Sequence, residues 1–240
     1  MGLGSHGAGV HGRAAVGQTG AMDIVSPAIN DYLLTHSEPA DEVLQGLAAE
    51  THRELGGAAG MQISHDEGEL LTMLVRLVGA RRAVEVGTFT GYSSICIARG
   101  LPDDGRLLCC DVSEEWTAIA RRYWARAGVA DRIELRIAPA LETLRALPTE
   151  RDLDFAFIDA DKAGYPAYFE EIVTRTRPGG LVVLDNMLRD GRVLDPQNDD
   201  DRAIVAMNDA LVADDRVDVV LLPVRDGVSL ARVRLWPDHG

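Results

Sequence analysis

Residues 83–93 read Ala-Val-Glu-Val-Gly-Thr-Phe-Thr-Gly-Tyr-Ser, a short apolar run that breaks into a glycine-spaced turn and then a helical pattern. Ala83–Val86 has the length and valine content of a buried strand. Gly87 and Gly91 permit a tight turn and a close approach of a ligand to the backbone. Their G-x-x-x-G spacing, with Glu85 ahead of the first glycine, differs from the G-x-G-x-x-G dinucleotide fingerprint. Taken alone, the turn is compatible with a ligand site and with a plain strand–turn–helix junction.

The same texture continues toward the C-terminus. Candidate strands are Arg106–Asp111, Arg132–Ile137, Leu153–Asp159, Gly180–Leu184, Val217–Leu222 and Val228–Leu235. Helical patterns separate the first five strands, among them Glu114–Ala127 and Tyr165–Thr176. This alternation predicts a doubly wound α/β fold, a parallel sheet covered by helices on both faces. The last two strands are joined by Pro-Val-Arg-Asp-Gly at 223–227, a turn short enough only for an antiparallel pair. The expected sheet therefore has seven strands, mostly parallel, ending in an antiparallel hairpin.

Toward the N-terminus three extra helices are expected. Ser26-Pro27 opens the first, and the second follows Glu38-Pro39, carries Val43, Leu44, Leu47 and Leu55, and stops at Gly56-Gly57. Ser64 caps the third, with Glu67 completing a capping box, and Leu70, Leu71, Leu74, Leu77 and Val78 form its apolar side. Residues 1–21 stand apart: seven are glycine, none is acidic, and they lack the n- and h-regions of a signal peptide. They read as a flexible extension, an early start codon or a cloning scar, with Met22 as a plausible true start and His6 and His11 as solvated tail residues. A single domain is expected over 22–240.

The chain has 240 residues, 46% of them apolar and 26% charged, enough to bury a full core. Basic residues number 24 against 38 acidic, a net charge of −14, which argues against a nucleic acid or an anionic membrane as main partner. No apolar run approaches the roughly 18 to 20 residues that span a bilayer. Cys96, Cys109 and Cys110 are too few and too awkwardly spaced for a disulfide framework or a zinc site. A cytoplasmic protein is expected. The basic residues are 23 arginines and a single lysine, Lys162.

In an open parallel sheet, ligands bind beyond the carboxyl ends of the strands. The second strand ends in Asp111, placed either to accept ribose hydroxyls or to cap the helix that starts near Ser113. Small residues, Ala138-Pro139-Ala140, follow the third strand, where a flat ring could pass. The fourth and fifth strands end in Asp159-Ala160-Asp161-Lys162 and Asp185-Asn186. Asp159, Asp185 and Asn186 offer hard oxygen donors suited to Mg²⁺, Ca²⁺ or Mn²⁺ rather than zinc. Helix capping by Asp161 and Asn186 is the alternative. Lys162, beside these acids, is either a lone surface lysine or a proton acceptor, a role arginine cannot fill.

Together these residues resemble the cation-dependent O-methyltransferases of the caffeoyl-CoA and catechol type, which are class I S-adenosylmethionine enzymes with a Rossmann-like fold. The resemblance rests on Asp66-Glu67-Gly68, on 84–93, on Phe157 through Lys162, on Asp185-Asn186 and on 222–227, in order and spacing over about residues 26–236. It implies that Glu85, Gly87, Thr88 and Ser93 hold the methionine part of S-adenosylmethionine, with Asp161 near its amino group. Asp111 would bind the ribose, Ala140 would lie by the adenine, and the loop of Met61, Gln62, Ile63 and Ser64 would cover the cofactor. Asp159, Asp185 and Asn186 would ligate Mg²⁺, with Lys162 and Asp159 as the catalytic residues and Lys162 the general base. Asp190 and Arg189 stand where plant members have asparagine and tryptophan, and no second lysine is present to meet a CoA ester.

The activity implied is methyl transfer to one hydroxyl of a catechol-like phenolic small molecule, in bacterial secondary metabolism, by a homodimer. Methylation of a hydroxylated tRNA wobble uridine is the alternative. A non-catalytic binding protein and a nicotinamide dehydrogenase are the readings in other classes, the second disfavoured by the absent G-x-G-x-x-G.

Overall fold

The computed structural model describes residues 25–235; the predicted extension and Met22 lie outside them. Three N-terminal helices, α1 (Pro27–Thr35), α2 (Glu42–Leu55) and α3 (His65–Val78), precede strand β1 (Arg82–Val86). Then follow α4 (Tyr92–Gly100), β2 (Arg106–Asp111), α5 (Glu114–Arg126), β3 (Ile133–Ile137), α6 (Ala140–Arg145) and β4 (Leu153–Ile158). The chain continues through α7 (Tyr165–Val173), β5 (Thr176–Leu184), α8 (Asp199–Ala213), β6 (Val217–Leu222) and β7 (Val228–Val233). The seven strands form one sheet in the order β3-β2-β1-β4-β5-β7-β6. β7 runs antiparallel between β5 and β6, and every other pairing is parallel.

Strand periodicity divides the core in two. Ala83, Leu107, Cys109, Phe155, Phe157, Leu181 and Val183 face one side, packed under α2, α3, α4 and α5. Val84, Val86, Cys110, Ala156, Ile158, Val182 and Leu184 face the other, under α6, α7 and α8. The alternation is the two-residue side-chain period of a strand, with both faces apolar because both are covered. Glu85 breaks it, an acid in an otherwise apolar row.

β5 begins at Thr176, four residues before its expected start at Gly180, and α7 ends at Val173 rather than Thr176. Between Leu153↔Thr176 and Phe155↔Leu181 the register with β4 shifts, a bulge that takes up Pro178-Gly179 without stopping the strand. The second helix is capped by Asp41, whose side chain accepts from Leu44 N at 3.0 Å. The predicted apolar side of α3 is also narrower than its spacing implies: Leu71 is fully buried, whereas Leu77 is 76% exposed.

The capping box at α3 does not form. Ser64 holds the N-cap backbone conformation, but its hydroxyl is buried without a partner. Glu67 turns inward instead of reaching back to the cap. Gly68 sits against α4, where a Cβ would lie 2.8 Å from Cys96 Sγ, so α3 packs close enough to carry Glu67 to the strand ends. Among the described residues no helix is long and apolar enough to cross a membrane.

Candidate active site

The carboxyl ends of β1, β2, β4 and β5 open into a cavity of about 1070 Å³, at the upper end of the usual range for small-molecule sites. Of the sequence-predicted site residues, Met61, Ile63, Gly87, Thr88, Ser93, Asp111, Ala140, Asp159, Asp161, Lys162, Asp185 and Asn186 line it together. Glu85 is the exception. It lies beneath the floor, fully buried, with Cys109 Sγ donating to its Oε2 at 3.3 Å and no partner at Oε1.

Asp111 first braces the glycine turn. Its Oδ2 accepts from Thr88 N at 2.9 Å and Phe89 N at 2.8 Å, and its Oδ1 accepts from Ser113 N at 2.8 Å. The helix cap predicted as its alternative role falls to Ser113, whose hydroxyl accepts from Trp116 N. Phe89, held at φ 51°, meets the Trp116 ring edge-on at 5.2 Å.

The β4 end carries Lys162. Lys162 is 8% exposed, with Nζ donating to Asp159 Oδ1 at 3.1 Å and to Tyr165 OH at 2.7 Å. Tyr165 in turn donates to the Asp185 carbonyl at 3.0 Å. Burial, then Asp159 and Asp185, push its phenol well above its ordinary value, so it stays protonated as that donor. One turn on, Tyr168 donates to Asp161 Oδ1 at 2.6 Å and fixes the second acid. Both tyrosines were absent from the sequence-derived site. Their signal was available, since Tyr165 and Tyr168 open a helix three and six residues after Lys162.

The β5 end carries the ligand candidates. Asp185 Oδ1 accepts from Asn186 N at 2.5 Å, and Asn186 is held at φ 56°. The loop behind is clamped to the β6–β7 turn: Met187 N donates to Gly227 O and Leu188 N to Asp226 O. This is a physical reason for the 222–227 segment to accompany Asp185-Asn186. Burial first, then Asp159, pushes the Asp185 carboxyl up to about 8. Among the described residues no three His, Cys, Asp or Glu side chains form a ready-made cage, and the donors expected from the sequence are two carboxylates and an amide. Those oxygens, a carboxyl destabilised by its neighbour, and the buried unpartnered Glu67 Oε1 fit a divalent cation.

Glu85 makes stability depend on pH. Burial raises its carboxyl to about 8, Ser93, Cys109 and Thr88 pulling the other way; unfolded, a glutamate titrates near ~4.3. Between these values the folded protein keeps a proton that the unfolded chain has released, so stability falls as pH rises through this window. The melting temperature of ligand-free protein should therefore decline from about pH 4.5 to pH 8, with Asp185 contributing in the same direction. Glu85→Gln should flatten the decline by Glu85's share; an unchanged slope would exclude this assignment.

A family profile described as O-methyltransferase matches residues 34–234. A probable caffeoyl-CoA O-methyltransferase of Dictyostelium discoideum is 37% identical over 209 residues, 85% of this chain and 90% of that protein. Caffeoyl-CoA O-methyltransferase 2 of Zea mays is 41% identical over 184 residues, 72% of this chain and 70% of that protein. Among solved structures, the O-methyltransferase TomG of Streptomyces achromogenes, involved in tomaymycin synthesis and solved with SAM, superposes with TM-score 0.79 at 34% identity, covering 87% of this chain and 96% of TomG. A Bacillus cereus O-methyltransferase in complex with SAH superposes with TM-score 0.78 at 34% identity, covering 86% of this chain and 97% of that one.

Proposed function

The chain belongs to the O-methyltransferase family and is an S-adenosylmethionine-dependent enzyme; from this premise we propose that it methylates one hydroxyl of a vicinal dihydroxy phenol in a divalent-cation-dependent reaction. The observation that carries this reading is Lys162, hydrogen-bonded between Asp159 and Tyr165 beside Asp185 and Asn186 in one cavity. A divalent cation held by Asp159, Asp185 and Asn186 would supply Lewis-acid stabilisation to the acceptor's two adjacent oxygens.

Lys162 takes the proton of the attacking hydroxyl. With S-adenosylmethionine bound, the oxygen so freed would displace the sulfonium methyl in one step, the O–CH₃ bond forming as the S–CH₃ bond breaks and its electron pair stays on sulfur. The products are S-adenosylhomocysteine and a mono-O-methylated ring. Asp161, fixed by Tyr168, suits the cofactor's ammonium, and Asp111, at the cavity wall, suits its ribose. The burial of Lys162 and Asp185 keeps bulk water away from the reacting oxygen.

The same cavity is lined by Asn30, Asp31 and Leu33 of α1 and by Arg189, Asp190 and Arg225, which we assign to the acceptor. Arg189 is tied through Nε to buried Asp201 at 3.1 Å, and Arg192 holds Asp190. Ile29 and Tyr32 of α1 are each more than half exposed, apolar surface consistent with a homodimer.

Labelled S-adenosylmethionine should pass its methyl to catechols in an acceptor panel. Thorough EDTA treatment should abolish the transfer and added Mg²⁺ restore it. Activity that survives chelation would sink the cation, and labelling confined to total tRNA would replace the phenol.

A further inference from the structure

We propose that Glu67 is a working part of the divalent-cation centre, a carboxylate beside Asp185 whose charge strengthens the protein's hold on the ion. This rests on the reading of Asp159, Asp185 and Asn186 as the ligand set.

Ser64 and Glu67 have the spacing of a capping box, and the hydrogen bonds of that box are not made. Glu67 is 2% exposed, lines the cavity at its inner wall, and its Oε1 is buried without a partner. Burial first, then the neighbouring acids Asp185, Asp159 and Asp66, push its carboxyl well above the ordinary glutamate range. Lys162, the base of this cluster, spends its hydrogen bonds on Asp159 and Tyr165. The close seating of Gly68 on Cys96 and Tyr92 keeps the first turns of α3 against α4.

Three acids of one sign converging in a water-poor wall call for a positive partner between them. The described residues supply no cage of three such side chains, which places Glu67 behind the ligands rather than among them. A group there acts on a metal through charge and through the orientation of the ligand it touches. Asp185 is that ligand.

The test is a titration of Mn²⁺ into metal-stripped full-length protein, followed by calorimetry and by the electron paramagnetic resonance of the free ion. Glu67→Gln should bind Mn²⁺ about 10- to 100-fold more weakly than the parent. Glu67→Asp keeps the charge and should lie nearer the parent, and Asp185→Asn should bind most weakly. The Mn²⁺-induced rise in melting temperature should shrink in the same order, while S-adenosylmethionine affinity measured without metal stays within a few-fold. Equal Mn²⁺ affinity in Glu67→Gln and the parent overturns the assignment, as does a Glu67→Asp variant weaker than Glu67→Gln. A parent protein that binds no Mn²⁺ overturns the cation centre itself, a result distinct from either.

Discussion

Lys162→Arg lowers kcat by roughly 10²-fold or more, the span associated with a general base, and leaves the affinity for S-adenosylmethionine within a few-fold. The expectation follows from how the amine is held. Tyr165 has one proton, and it is committed to the Asp185 carbonyl at 3.0 Å. Its oxygen therefore accepts from Lys162 Nζ at 2.7 Å, and Asp159 Oδ1 accepts a second N–H at 3.1 Å. To act as a base the amine must first release a proton; with Tyr165 and Asp159 accepting its other two N–H bonds, the lone pair so freed is left for the acceptor's hydroxyl proton. A guanidinium offers only donors and stays charged at any working pH. Arginine would satisfy Asp159 as an ion pair while removing the proton acceptor. Single-turnover rates with saturating catechol and Mg²⁺ measure the loss, and calorimetry with S-adenosylmethionine checks the binding. Near-normal turnover would mean that the cation alone activates the hydroxyl.

Strands were legible where their signal is local. Arg106–Asp111 and Val217–Leu222 have the predicted bounds because an apolar run flanked by turn residues is all a covered strand needs. The early start of β5 was hidden because Pro178 and Gly179 look like breakers, and only the bulge against β4 makes them tolerable. The place of β7 between β5 and β6 depends on pairing between segments far apart in sequence, and no local pattern encodes it.

Gly87, Thr88, Asp111, Asp159, Asp161, Asp185 and Asn186 were legible for a related reason: they lie at or just beyond the ends of strands, and parallel strands bring their ends together. What was missed acts across the sheet. Glu67 carries the local pattern of a cap, but its side chain ends beside Asp185, which lies about half the chain away in sequence. Glu85, which the resemblance assigns to the cofactor, is turned by the two-residue period toward Cys109, a direction that depends on strand phase and not on its place beside the glycine turn. Asp111 combines both readings, with backbone amides already occupying part of the carboxylate expected to serve the ribose.

Gly87→Ala is expected to cost about 3 kcal/mol or more of stability and to abolish measurable S-adenosylmethionine binding. Gly87 has φ 92°, so any side chain is strained there. Strain is the smaller part. A Cβ would lie 2.0 Å from the Asp159 carbonyl oxygen and 2.7 Å from its carbon, backbone atoms with no flexible end to move. Asp159 N donates to Val86 O at 2.8 Å, so β1 and β4 cannot part at this point without losing the bond that aligns their ends. Relief would displace either the turn braced by Asp111 or the segment bearing Asp159, Asp161 and Lys162. Gly128→Ala is the control, because its φ of 68° is also left-handed but nothing lies within 4 Å of the added Cβ. That variant should lose only the conformational cost, about 1 kcal/mol, and bind the cofactor normally. Urea unfolding of the two variants, with calorimetry for S-adenosylmethionine, separates clash from strain. If Gly87→Ala is no less stable than Gly128→Ala, β1 and β4 are not as tightly seated as their carbonyl and glycine imply.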